Sequence, residues 1–238
     1  KVNQVSESIM EKAEEKLDII NCINQMKSMD DYTHTHSVNV SILCMLIAQW
    51  LKFDSRKIRL VVQAGLLHDV GKVMLPPEIL QKRGELTREE YEEAKKHVIY
   101  GYKIAQDIPG ISSDVLNGIL MHHEREDGSG YPLGAKSDQI HEFAKIIAVA
   151  DIYDAMTSER VYKKRKSPFE VFELFQNQSF DTLDPRIRMT FLKNIANYYV
   201  GEKVKLSSGD EGEIVYINPM NISRPIVKSG EKYIDLSM

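Results

Sequence analysis

A chain of 238 residues has room for one large or two small domains, and with 42% hydrophobic residues it can bury a substantial core. The 31 Lys and Arg are outnumbered by 35 Asp and Glu, a formal charge of −4. That balance argues against a general binder of nucleic-acid polymers, whose affinity rests on basic residues neutralising many phosphates, but not against one small phosphate ligand in a locally basic pocket.

No apolar run approaches the roughly 20 residues of a membrane-spanning helix, and no signal peptide is visible. Cys22 and Cys44 lack metal-type spacing and read as two buried thiols in a reducing cytoplasm. Between residues 2 and 29 there is no Pro or Gly, and Val5, Ile9, Ala13, Leu17, Ile20, Ile23 and Met26 recur at spacings of three and four. This predicts an amphipathic helix over residues 1–30, either a signalling linker or the first helix of the domain. The chain opens on Lys1 in mid-helix, so the expectation is a piece of a longer protein whose upstream sensor, regulatory domain or membrane anchor lies outside it.

Asp30, Asp31 and Thr33 offer N-cap chemistry for a second helix carrying His36, Val40, Leu43, Cys44, Ile47 and Leu51. His34 and His36 cannot share a helical face; His36 lies near the apolar stripe and is the candidate ligand, His34 the solvated one. A third helix from Ser55 to about His68 delivers the run His68-Asp69-Val70-Gly71-Lys72. Its imidazole and carboxylate can converge on one metal at the helix end, with the second carboxylate oxygen free to bridge to another. The plainer reading of an isolated His-Asp pair is a buried hydrogen bond. Thr87-Arg88-Glu89-Glu90 is a capping box, opening one helix that runs to about Gln106 and bears His97.

After Pro109-Gly110, Ser113 to His122 forms a helix ending in His122-His123-Glu124. Neighbouring imidazoles serve poorly in a core because each needs polar partners, so this pair points to metal. The loop from Arg125 to Gly134 is dense in glycine and turn formers, and Tyr131 beside Pro132 is a flat platform on which a base can stack. The most hydrophobic helix, Ile140 to Ser158, is interrupted by Asp151 and Asp154 on one face. A buried aspartate is costly unless paired or metal-bound, which makes Asp151 a ligand candidate. Of the basic residues that follow, Arg160 and Lys163 are nearest the site. Helices from Ser167-Pro168 to Phe175 and from Asp184-Pro185 to about Tyr199 come next. Residues 200–238 then read as a β-hairpin with further strands, a small β extension too short to stand confidently alone.

His36, His68, Asp69, His97, His122, His123 and Asp151 supply five imidazoles and two carboxylates. One divalent ion with an open position takes about three to five protein ligands, so this set suits two ions sharing a carboxylate. Nitrogen and oxygen donors without thiolate fit iron, manganese, zinc or cobalt. Two ions about 3.5–4 Å apart clamp a phosphodiester, and Lys72, Arg160 and Lys163 would hold phosphate oxygens. The reaction class is metal-assisted phosphoester hydrolysis.

Taken jointly, His68-Asp69-Val70-Gly71-Lys72, His122-His123-Glu124, Gly128-Ser129-Gly130-Tyr131-Pro132 and the run from Ala150 to Ser158 resemble the HD-GYP subgroup of the HD phosphohydrolase superfamily, over residues 31–199. The resemblance implies an all-α bundle, here with the small C-terminal β-sheet appended, and a site of two or three metals. It implies hydrolysis of cyclic di-GMP to linear pGpG, in some members onward to GMP. Metal ligands fall on the same seven residues with Asp69 as the bridge, Asp69 and Lys72 are the catalytic positions, and Lys72, Arg160, Lys163 and Tyr131 bind substrate. Three-metal members carry a glutamate where this chain has Tyr32, and an un-ionised tyrosine cannot replace a bridging carboxylate. Two divalent transition-metal ions are therefore expected, iron or manganese first, with zinc, cobalt or nickel as other choices. The alternatives are action on another cyclic dinucleotide such as cyclic GMP-AMP, or a silent dinucleotide-sensing module. Further expectations are a homodimer, a protein partner at the Gly128–Pro132 loop, and a cytoplasmic place, alone or as part of a membrane-anchored protein.

Overall fold

The computed structural model describes residues 2, 4, 6–8, 32–82, 84–158, 166–177 and 182–238. Most of the expected N-terminal helix, with Cys22, lies outside the described residues; those described between 2 and 8 are helical. Helix α1 spans Tyr32–Trp50 and α2 Ser55–Leu67, the latter capped by the Asp54 carboxylate accepting the Lys57 amide. A 3-10 turn, Val70–Met74, and the short α3, Pro77–Leu80, lead to α4, Arg88–Lys95, and α5, His97–Gln106. Helices α6, Ser113–Met121, and α7, Glu142–Thr157, flank the glycine-rich loop, and α8, Pro168–Gln176, precedes α9, Pro185–Ile195. A 3-10 turn at Ala196–Tyr199 then leads into four antiparallel strands, β1 Lys203–Lys205, β2 Glu211–Asn218, β3 Asn221–Ser229 and β4 Lys232–Asp235, paired in sequence order.

Helix α7 runs through the middle of the bundle, against α1, α2, α6, α8 and α9. Its Phe143, Ala144, Ile146, Ile147, Ala148, Val149 and Ala150 are all buried, which is why its sequence is apolar all round instead of striped. Val40, Leu43, Cys44 and Ile47 of α1 meet it, each fully buried; a side chain such as Leu43 gains roughly 1.5–3 kcal/mol from leaving water. Close approach sets the remaining geometry. A Cβ on Gly71 would sit 1.9 Å from the His97 carbonyl and 2.3 Å from the Gly101 amide, so the turn after the His-Asp pair lies directly on the backbone of α5.

One expectation needs correction. The helix opened by the Thr87 capping box is not continuous to Gln106: it breaks at Lys96, whose amide bonds back three residues to the Glu93 carbonyl. The tightened turn leaves the Ala94 carbonyl to the His97 ring, 2.8 Å from Nδ1, and turns that ring inward. The β extension shares the core of the helices. Ile214, Ile217, Ile222 and Val227 belong to the same buried cluster as the helices, and Arg224 and the Ser223 amide bond to Glu173 and Gln176 of α8. Among the described residues no helix is long and apolar enough to cross a membrane.

Candidate metal centre

Several helix ends converge on one buried spot. His36 comes from the first turns of α1, His68 and Asp69 from the end of α2, His97 from the start of α5, His122 and His123 from the end of α6, and Asp151 from α7. Three of the imidazoles are held in the same way. Nδ1 of His68 lies 2.7 Å from the Gly65 carbonyl, Nδ1 of His97 2.8 Å from that of Ala94, and Nδ1 of His122 2.8 Å from that of Ile119, each three residues back. A carbonyl only accepts, so each Nδ1 carries the proton and each Nε2 presents a bare lone pair. These Nε2 atoms are buried with no hydrogen-bond partner. Three orphaned lone pairs in one place are costly in an empty protein and suit a cation.

Asp69 lies between two sets of rings. Its Oδ2 is 3.3 Å from Nε2 of His68 and 3.7 Å from Nε2 of His36, while Oδ1 is 3.4 Å from Nε2 of His97. Ligand atoms of His36, His68 and Asp69 lie within 4.8 Å of one another, as do those of His97, His122 and His123. Asp151 Oδ1 is 3.2 Å from His36 Nε2, on the first set's side. All seven ligand candidates are thus brought together. The donor set, imidazole nitrogen with carboxylate oxygen and no thiolate, fits divalent transition metals, and the Nδ1 hydrogen bonds are the kind that orient metal-bound histidines.

The electrostatics agree. Burial would raise the Asp69 carboxyl, but His68 and Lys72 outweigh it and hold it well below the usual range. Burial opposes ionisation of Asp151 too, and is overcome by its hydrogen bond and charge interaction with His36. Burial pushes His122 well down, with His123 and His68 adding to it, and lowers His97 despite Asp69. It takes His123 down to about 3. These rings are neutral, as ligands must be. His36 moves the other way: burial would lower it, yet hydrogen bonds to Asp151 and Asp154 take it up to about 9.

Around the ligands, Lys72 pairs with Asp69 Oδ2 and is 39% exposed, so it stands at the mouth of the site. Tyr131 stacks on His123 at 4.7 Å between centroids, and the Lys95 ammonium is over both its ring and that of Tyr91. One face of the expected platform is therefore covered by a ligand ring. Arg160 and Lys163 lie outside the described residues, as do the side chains of Tyr32 and His34. His141 is elsewhere, capping α7.

Two residues have parts that sequence reasoning did not give them. Glu124, buried at 3% exposure, accepts the amides of Leu133 at 2.6 Å and Ala135 at 2.9 Å, tying the glycine-rich loop to the candidate ligands His122 and His123 beside it. Gly130 makes this possible, since a Cβ there would sit 2.4 Å from the Glu124 backbone. Asp154, fully buried, holds His36 Nδ1 at 2.7 Å. Its i+3 spacing from Asp151 was the available signal.

Residues 12–187 match the HD domain family. A cyclic di-GMP phosphodiesterase of Pseudomonas aeruginosa is 35% identical over 227 residues, 95% of this chain and 54% of the relative. A 3′3′-cGAMP-specific phosphodiesterase of Vibrio cholerae is 33% identical over 177 residues, 74% of this chain and 41% of the relative. The chain spans about half the length of the curated relatives it matches. Among solved structures, an HDG"Y"P protein from Bdellovibrio bacteriovorus superposes with a TM-score of 0.64 at 21% identity, covering 80% of this chain and 62% of that one, and shows the same fold.

Proposed function

The chain belongs to the HD domain family, and from that premise we propose that it is a metal-dependent phosphodiesterase hydrolysing cyclic di-GMP to linear pGpG in bacterial second-messenger signalling. The observation that carries the reading is Asp69, with one oxygen toward His36 and His68 and the other toward His97. His36, His68, Asp69 and Asp151 would hold one divalent ion, and His97, His122, His123 and the shared Asp69 a second. Iron or manganese are the first choices. Bound there, the ions would supply charge neutralisation on the phosphodiester and a lowered pKa for attacking water.

The protein's own groups do the rest. The helix-end carbonyls keep the imidazoles in the ligating tautomer, and the bundle keeps water from their backs. Lys72 exchanges its contact with Asp69 for a phosphate oxygen, a charge-assisted bond, and Arg160 and Lys163 take the other phosphate. Tyr131 meets a guanine with what its stack on His123 leaves free. With Tyr32 where three-metal members carry a bridging glutamate, pGpG is the expected main product, and GMP the further product of some members. Residues 31–199 form the phosphohydrolase unit, working in the cytoplasm under an upstream regulatory region. A second reading, action on 3′3′-cGAMP, is favoured by the Vibrio cholerae relative.

Protein loaded anaerobically with Mn(II) or Fe(II) is offered each cyclic dinucleotide in turn, and products are separated by chromatography. The reading expects pGpG from cyclic di-GMP at a kcat/KM at least tenfold above that for 3′3′-cGAMP. The opposite ranking moves the assignment to cyclic GMP-AMP, and no product from either overturns it.

A further inference from the structure

His68, His97 and His122 each borrow a free carbonyl near a helix end. His36 cannot. It is the fifth residue of α1, where the carbonyls behind it are engaged by the helix's own amides. A ring in that position needs a side-chain acceptor to fix its tautomer, and the structure supplies one from α7. Asp154 Oδ2 lies 2.7 Å from His36 Nδ1, while its Oδ1 accepts from Asn39 Nδ2 at 3.1 Å and from Ser158 Oγ at 3.1 Å. The carboxylate is fully buried and lies behind the imidazole, on the Nδ1 side; Nε2 faces Asp69 and Asp151.

We infer that Asp154 is the positioning residue of the His36 half of the metal centre: it aims His36 Nε2 at one ion and makes that nitrogen a stronger donor, without touching either metal. This rests on the two-ion reading above. The group must be a carboxylate. Three donors converge on it, and a carboxylate accepts through both oxygens and donates nothing. An asparagine in its place would turn an N–H either toward the His36 Nδ1 proton or toward the donors of Asn39 and Ser158. The same contacts tie the start of α1 to the end of α7, where the Ser158 amide closes on the Asp154 carbonyl at 2.8 Å. Asp154 acts on one ligand set only, since the His97, His122 and His123 rings have acceptors of their own or lie across Asp69 from it.

The test is Mn(II) titration of metal-free protein, followed by calorimetry, for wild type, Asp154→Asn, His36→Ala and the His36→Ala/Asp154→Asn double variant. Two binding events are expected in wild type. In Asp154→Asn one event weakens ten- to hundredfold, the cost usual for removing a partner that orients a metal ligand, while the other stays within threefold. The double variant matches His36→Ala, because Asp154 has nothing left to position. Two events of wild-type affinity in Asp154→Asn overturn the inference. So does a further loss in the double variant relative to His36→Ala, which would mean a general structural role; this comparison holds even if Asp154→Asn alone does not fold. Fewer than two events in wild type refutes the two-ion reading instead, and Asp154 is then judged on whichever event remains.

Discussion

Gly71→Ala tests whether the turn after the His-Asp pair positions the far ligand set. The added methyl would stand 1.9 Å from the His97 carbonyl oxygen, 2.3 Å from the Gly101 amide and 2.9 Å from its Cα. Ordinary contact is nearer 3.4 Å, so backbone must retreat by more than 1 Å, and none of the three atoms is the end of a flexible side chain. Overpacking a tight site costs typically about 1–3 kcal/mol, and backbone on both sides puts this one at the top of that range. At roughly 2–4 °C per kcal/mol for a chain of this size, the melting temperature of the metal-free protein should fall by about 6–12 °C. The carbonyl that is struck belongs to His97 itself, whose Nε2 must stay among ligand atoms within 4.8 Å of one another. Binding at the His97, His122 and His123 set should therefore weaken by more than tenfold. Gly118→Ala is the comparison: its nearest atoms are side-chain carbons at 3.0, 3.2 and 3.3 Å, and it should cost about 1 kcal/mol and leave metal binding intact. Calorimetric melts and Mn(II) titration of both variants decide it. A Gly71→Ala protein that melts with wild type and takes up metal normally would refute the reasoning.

Glu124→Gln replaces an acceptor of two amides by a group that must turn an N–H toward one of them, a loss of about 1–3 kcal/mol; hydrogen exchange at Leu133 and Ala135 should speed by about five- to hundredfold with the global melt little changed, and unchanged protection would count against the clamp. Asp69→Ala removes the shared carboxylate, so both Mn(II) events should weaken and turnover should fall below detection; retained turnover would show that Asp69 is no bridge. The metal-free protein should be most stable near pH 6.5. His36, raised from 6.5 to about 9, gives stability that is fully present below pH 6.5 and is lost as pH climbs through 9. His123, lowered from 6.5 to about 3, makes the unfolded chain bind more protons as pH drops below 6.5, so stability falls on that side too. Melts from pH 5 to 9.5 read both limbs, and His123→Ala should flatten the acid one; equal melting temperatures at pH 6.5 and 9 would contradict the alkaline limb.

The helices and the candidate ligands were readable because both follow from local pattern. Apolar spacing marks α1 and α7, capping boxes mark the starts of α4 and α8, and a His-Asp pair, ambiguous alone, points to metal once an adjacent His-His pair and further histidines join it. What was not readable depends on contacts between distant elements. The break at Lys96 is one tightened turn, its amide on the Glu93 carbonyl, and no local propensity marks it. Asp154 looks in sequence like a second copy of Asp151; only the α1–α7 packing shows that Asp151 faces Nε2 of His36 and Asp154 its Nδ1. Where the sheet packs was not readable, because its partners, on α8 and in the bundle core, lie far upstream in the chain.

The central claim is that two ions share Asp69 and that both are needed. Metal-free protein receives Mn(II) in steps from zero to three equivalents, with bound metal and cyclic di-GMP hydrolysis measured at each step. The account predicts saturation at two ions per chain, with turnover rising only as the second site fills. Full activity at one ion per chain, or a third ion taken up with a further rise, would contradict it.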